Sequence, residues 1–283
     1  MTVTRFSALQ VQAPAAPANR TDCHIHIYDA RFASGMQTPP QATVSDYRLM
    51  QQRLGLSRVV IVQPRNYAMD NSAILDAIEQ LGQDRARGVA VLHPGVSDAE
   101  LQRLHDGGIR GLRFTVGKPD LAVVSVDMIE PLAQRIAGLG WHVQIHMRGA
   151  QIVEHESLLR RLPVSIVFDH MGRPPLPEGT AHRSHAIIRE LIDRDRAWVK
   201  LSGAYYNRSA DARDYHEANA LARAFVEAAP ERMLWGSDWP HPGEEVARDD
   251  AELLALLALQ APDASRQQRI LVDNPAVLYG FPV

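Results

Sequence analysis

The stretch Arg58-Val59-Val60-Ile61-Val62-Gln63-Pro64 decides the architecture. Its apolar run is unbroken and stops at a proline, the pattern of a strand buried on both faces of a parallel sheet. After it, Asp70-Asn71 precedes a helical pattern over 73–81 that closes at Gly82. Before it, Asp22-Cys23-His24-Ile25-His26 reads as another strand, followed by a loop over 31–43 with Gly35, Pro39 and Pro40. A helix over 45–54 comes next, with Ser45 as its N-cap.

The same alternation continues to the end of the chain. Strands are expected at 87–93, 109–114, 142–147, 164–170, 198–202 and 233–237. Ser97 and Glu100 form a capping box for a helix that stops at Gly107-Gly108, and Ser125 caps one that runs to Gly138 or Gly140. Further helices are expected around 150–161, 183–193, 214–228, 245–259 and 264–272. Strands alternating with helices predict a parallel sheet. Eight such units predict an α/β protein of one domain, a (β/α)8 TIM barrel over 21–283; an open doubly wound sheet is the alternative. No Gly-x-Gly-x-x-Gly follows a strand, so no dinucleotide cofactor is expected.

Composition narrows the class. Of the 283 residues 46% are hydrophobic, enough for a large core, and the net charge of −3 offers no attraction to a polyanion. No basic cluster is interleaved with aromatics, so no nucleic-acid partner is expected. The single cysteine, Cys23, excludes an internal disulfide framework and fits a reducing, cytoplasmic setting. Residues 1–20, rich in Ala, Pro and Gln, hold no sustained apolar run and read as a flexible arm rather than a signal peptide. Such an arm could reach a neighbouring subunit of a homo-oligomer. The longest apolar stretch, 253–259, is far too short to cross a bilayer, so no membrane partner is expected.

In a barrel of this kind the site lies at the carboxyl ends of the strands. Those ends offer His24 and His26, Arg65, Arg113, Gln144, His146 and Arg148, then Asp169, His170 and Arg173. Lys200, Ser202, Tyr205, Arg208 and Asp238 complete the rim. Side chains alternate along a strand, so Asp22, His24 and His26 should share one face while Cys23 and Ile25 point away. Two imidazoles in that register can hold a metal or converge on one substrate oxygen.

His-x-His on the first strand, Asp169-His170-Met171-Gly172-Arg173 after the sixth and Gly236-Ser237-Asp238-Trp239-Pro240-His241 after the eighth resemble the amidohydrolase superfamily. The stretches around Val62-Gln63-Pro64 and Lys200-Leu201-Ser202-Gly203 are similar to its pyrone- and sugar-lactone-hydrolysing branch. The resemblance runs from about Thr21 to Tyr279 and implies roles. Asp238 would be the general base, and His24, His26 and His170 would polarise a lactone carbonyl. Arg113 and Arg173 would clamp carboxylates, with Arg208 a looser counterpart; Arg65, Arg148, Ser202 and Tyr205 would complete the substrate pocket.

Departures matter too. His146 stands where the metal-independent pyrone lactonases have Tyr, and Lys118-Pro119 where they have a second Arg. Arg65-Asn66-Tyr67 also differs from them. With His146 present, His24, His26, His146 and Asp238 would make a mononuclear ligand set for one divalent ion such as zinc; the alternative is no metal. Ser45–Met50 and Ala204-Tyr205 look closer to a sugar-lactone isomerase branch, which lacks an intact His-x-His and the last Asp. The reading favoured is therefore a hydrolase opening a small anionic lactone. The alternatives are a metal-dependent decarboxylase of an aromatic or muconate-type acid, a sugar-lactone isomerase and a non-catalytic binder.

Overall fold

The computed structural model describes residues 18–32, 41–117, 122–209, 214–244 and 248–282. Nearly all of the expected arm, and Lys118-Pro119, lie outside them. Eight parallel strands form one sheet in sequence order: β1 (Thr21–Ile25), β2 (Arg58–Val62), β3 (Ala86–Ala90), β4 (Ile109–Thr115), β5 (His142–His146), β6 (Ile166–Phe168), β7 (Ala197–Leu201) and β8 (Met233–Trp235). The ring closes just past β8, where a parallel bridge joins Ile25 to Trp239. The protein is thus a single-domain (β/α)8 barrel, as the alternation predicted.

Helices α1 (Val44–Leu54), α2 (Ser72–Leu81), α3 (Asp98–Asp106) and α4 (Ile129–Ile136) follow the first four strands. Next come α5 (Gly149–Glu154), α6 (Glu156–Arg161), α7 (Arg183–Ile192), α8 (His216–Ala228), α9 (Asp250–Gln260), α10 (Ala264–Gln268) and α11 (Asn274–Tyr279). Val59 and Ile61 join the outer core with Ile74 and Ile78 of α2, while Val60 and Val62 face the barrel interior with Val89, Val167 and Leu234. Both faces of the strand are buried, which explains its unbroken apolar run. The N-terminal mouth is plugged by the chain end. Arg87 donates to the carbonyls of Tyr279 (3.0 Å) and Gly280 (2.8 Å), and Phe281 lies beneath the Arg58 and Arg87 guanidiniums.

Several boundaries differ from the sequence expectation. Thr43, not Ser45, caps α1, through a capping box with Asp46. Ser125 makes no side-chain cap, because a short 3-10 turn over 126–128 precedes α4. The helix expected around 150–161 breaks at His155 into α5 and α6. The last helix continues through a π turn into α11.

The alternation on β1 also fails at one point. Asp22 pairs with Val59 and Ile25 with Ile61, so three steps on β1 oppose two on β2. That is a bulge, which puts two consecutive side chains on one face. Cys23 accordingly joins the interior cluster, Asp22 turns outward to Ser237, and Ile25 packs in the outer core. His24 and His26 still converge in the interior, but Asp22 does not share their face.

The buried histidines of the barrel carry a pH dependence of their own. Burial, with Lys200 nearby, pushes His142 down to about 3, and burial pushes His170 down to about 4. Below pH 6.5 the unfolded chain takes up protons that these rings refuse, so stability falls with pH across that window. Asp22, raised to about 7 by burial, works in the opposite sense, while His24 and His146, which burial also lowers, add to the loss. Urea midpoints should therefore drop between pH 6.5 and 4, and His142→Leu should drop less. Parallel profiles for the two proteins would exclude His142 as a source.

Candidate active site

The carboxyl ends of β1, β4, β5, β6 and β8 bring His24, His26, Arg113, His146, His170, Arg173 and Asp238 together. Asp238 sits in the left-handed region at φ 64, and Tyr205 donates a short hydrogen bond to its Oδ2. Its Oδ1 lies 3.4 Å from His24 Nε2 and 3.5 Å from His26 Nε2. Burial alone would raise this carboxyl, but facing His170, His26 and His24 hold it well below the usual carboxylate range. Tyr205 keeps its proton, because burial and the Asp238 charge both push its hydroxyl up. Tyr205 and Ser202, expected to touch substrate, hold Asp238 and His170: Ser202 Oγ lies 2.9 Å from His170 Nδ1.

Hydrogen bonding sets the tautomers. His26 Nδ1 lies 2.8 Å from the Val62 carbonyl, which only accepts, so Nδ1 carries the proton and Nε2 the lone pair. His24 Nδ1 lies between Asp169 Oδ1 at 3.2 Å and Lys200 Nζ at 3.4 Å, and its Nε2 makes no hydrogen bond to any described residue. The Nε2 atoms of His24 and His26 and one carboxylate oxygen thus face each other, an arrangement that a shared proton or a cation between them would satisfy. Three such ligands with an open fourth position suit zinc. His24, His26 and Asp238 are close enough to hold one ion together.

His146 is not part of that group. Its Nε2 lies 2.9 Å from Arg173 Nη1 and its Nδ1 3.4 Å from Arg113 Nη2. Of the four expected ligands, three lie within reach of one ion, while both ring nitrogens of His146 face guanidiniums. Burial and these cations keep the ring neutral by lowering its pKa well below the ordinary value.

Beneath the histidines lies a buried charge cluster that sequence reading left without a role. Lys200 Nζ donates to Gln144 Oε1 at 2.7 Å and lies 3.8 Å from Asp169 Oδ1. Gln144 Nε2 donates to Asp169 Oδ2 at 3.1 Å, and Arg113 Nε is 3.5 Å from the same oxygen. Burial pushes Lys200 down to about 8, with Asp169 pulling it back up. Burial raises Asp169, but His24, Lys200 and Arg113 outweigh it and keep the carboxylate ionised.

Around the mouth, Arg173 stacks on Tyr206 at 4.5 Å and makes no ion pair with a carboxylate among the described residues. Tyr206 went unnoticed in the sequence, where nothing separates it from its neighbour Tyr205. His170, Met171, Gly172 and Arg173 form an unbroken left-handed run at φ 50, 58, 72 and 46. Such backbone costs about 1–3 kcal/mol per non-glycine residue and persists where surroundings enforce it. Here Asn207 Nδ2 donates to the His170 carbonyl at 3.0 Å. Arg65 and Arg148 are exposed, and Arg208 lies over the Tyr215 ring at 5.9 Å.

A barrel with His-x-His on its first strand and an ionised Asp after its last defines a class, and comparison with known proteins agrees. The amidohydrolase family profile matches residues 21–281, and the chain belongs to that family. It is 35% identical over 277 residues to the 2-pyrone-4,6-dicarboxylate hydrolase of Comamonas testosteroni, covering 93% of this chain and 90% of that one. It is 33% identical over 275 residues to the 4-sulfomuconolactone hydrolase of Rhizobium radiobacter, covering 94% and 91%. A solved structure of a probable 2-pyrone-4,6-dicarboxylic acid hydrolase of Acinetobacter baumannii, with citric acid bound, superposes with a TM-score of 0.82 at 26% identity. That match covers 93% of this chain and 100% of the other. No helix among the described residues is long and apolar enough to cross a membrane.

Proposed function

We propose that this protein hydrolyses an anionic lactone, with Asp238 as the base that activates the attacking water. The observation that carries this is the Asp238 carboxylate itself: buried, held ionised, fixed by Tyr205, and facing the Nε2 atoms of His24 and His26. Sequence kinship to two enzymes named as lactone hydrolases supports the same reading.

The chain's own residues account for the proton traffic. Asp238 takes a proton from water as its oxygen attacks the ring carbonyl carbon. It then returns that proton to the ring oxygen as the C–O bond breaks. A base so positioned contributes about 10²–10⁴ in rate. If Ser202 donates to His170 Nδ1, then His170 Nε2–H is left free to donate to the developing oxyanion. The Nε2 atoms of His24 and His26 face Asp238 Oδ1 instead. With Asp238 they would hold a divalent cation, which when bound acidifies water and polarises a carbonyl.

Arg113 and Arg173, spaced by His146, form the anion-binding arm. Arg113→Met and Arg173→Met should each raise KM for an anionic lactone about 10- to 100-fold, the worth of a hydrogen bond to a charged group. KM for an uncharged lactone should move little. Equal losses on both substrates would remove the arginines from anion recognition. The functional reading itself is tested by a pH-stat assay over carboxylated and sulfonated lactones, with and without chelator. Acid release supports it; silence across the panel with metal present favours the decarboxylase. The single cysteine supports a cytoplasmic setting.

A further inference from the structure

β8 ends as a strand at Trp235, three residues before Asp238. Gly236 lies hard against β1: a Cβ there would sit 2.7 Å from that of His24. Past it, the seam between the first and last strands is held by Asp238 N donating to the His24 carbonyl (2.9 Å) and His26 N to the Trp239 carbonyl (2.8 Å). The two groups that must meet, His24 and Asp238, therefore face each other across a short ladder. Asp238 moreover keeps a left-handed backbone that its surroundings must enforce.

The β1 bulge turns Asp22 outward at this seam. Its Oδ1 accepts from the amides of Ser237 (2.9 Å) and His24 (3.2 Å). Its Oδ2 accepts from Ser237 Oγ (2.6 Å), and that oxygen accepts from the Trp239 amide (3.0 Å). One fully buried carboxylate thus ties His24 to both neighbours of Asp238.

We propose that Asp22 is a positioning residue for the reaction, clamping the seam between the first and last strands so that His24 and Asp238 are held in register. The proposal rests on the reading of Asp238 as the base. Asp22 touches no reacting atom; it acts through the backbone on either side of Asp238.

The test is Asp22→Asn, which keeps the shape but turns an amide nitrogen toward a donor. Misplacing a catalytic group by about 1 Å costs roughly 10²-fold in rate. We expect kcat to fall by about that factor in Asp22→Asn. KM should stay within about threefold, because the anion arm stands on other strands. Amide hydrogen exchange at Ser237 and Trp239 should accelerate in the folded variant. Ser237→Ala, which removes only the hydroxyl link, should shift the same two readouts less and provides the test should Asp22→Asn not fold. Exchange at the wild-type rate in a folded variant would overturn the proposal. So would a kcat loss merely matching the unfolded fraction. If the wild type proves inactive on every lactone, the functional reading falls, while the exchange rates still decide the clamp.

Discussion

Asp238→Asn should bind an anionic lactone with a nearly unchanged dissociation constant while kcat falls by about 10²–10⁴. Asparagine keeps the shape and can still accept from Tyr205, so the turn that carries it should survive. What it loses is the ability to hold the water's proton between attack and ring opening. The anion arm, on β4 and after β6, does not contact this carboxylate through any hydrogen bond or ion pair among the described residues. Binding should therefore separate cleanly from turnover. Turnover within a factor of about three of wild type would remove Asp238 from the chemistry.

The second large effect is on stability. Asp169→Asn should destabilise the fold by about 3–5 kcal/mol, the usual result of removing one partner from a buried ion pair. The Asp169 carboxylate is the buried anion facing Lys200, Arg113 and His24 at 3.8, 3.5 and 3.2 Å. Losing its charge leaves a buried ammonium and a buried guanidinium without an anion beside them. Urea unfolding measures this directly. A loss below about 1 kcal/mol would mean that the cluster is already neutral in the folded protein. Kinetics should follow stability here, since His24 loses the carboxylate beside its Nδ1.

How much of this was legible in the sequence depended on how local each feature is. The β/α alternation, and with it the barrel, could be read because a buried parallel strand such as Arg58–Val62 is apolar without interruption after its first residue. The convergence of His24, His26, His170 and Asp238 followed from their positions at strand ends. Asp22 was placed on the wrong face because a bulge is a property of two paired strands, and β1 alone carries no sign of it. The two guanidinium neighbours of His146 could not be read because they come from β4 and from the turn after β6, distant in the chain. The hydrogen-bond partners of Ser202 and Tyr205, His170 and Asp238, belong to other strands and so could not be read either. The break at His155 between α5 and α6 is likewise invisible to periodicity, since both segments keep their apolar face toward the core.

The central claim is that water, activated at Asp238, attacks a ring ester carbonyl. The most direct measurement is turnover of a carboxylated or sulfonated lactone in water enriched in ¹⁸O, followed by mass analysis of the product. Hydrolysis predicts an opened acid carrying one solvent oxygen in its new carboxylate, formed by wild type and lost in Asp238→Asn. A product of unchanged mass without solvent oxygen would indicate isomerisation, and loss of carbon dioxide would indicate decarboxylation; either would contradict the account.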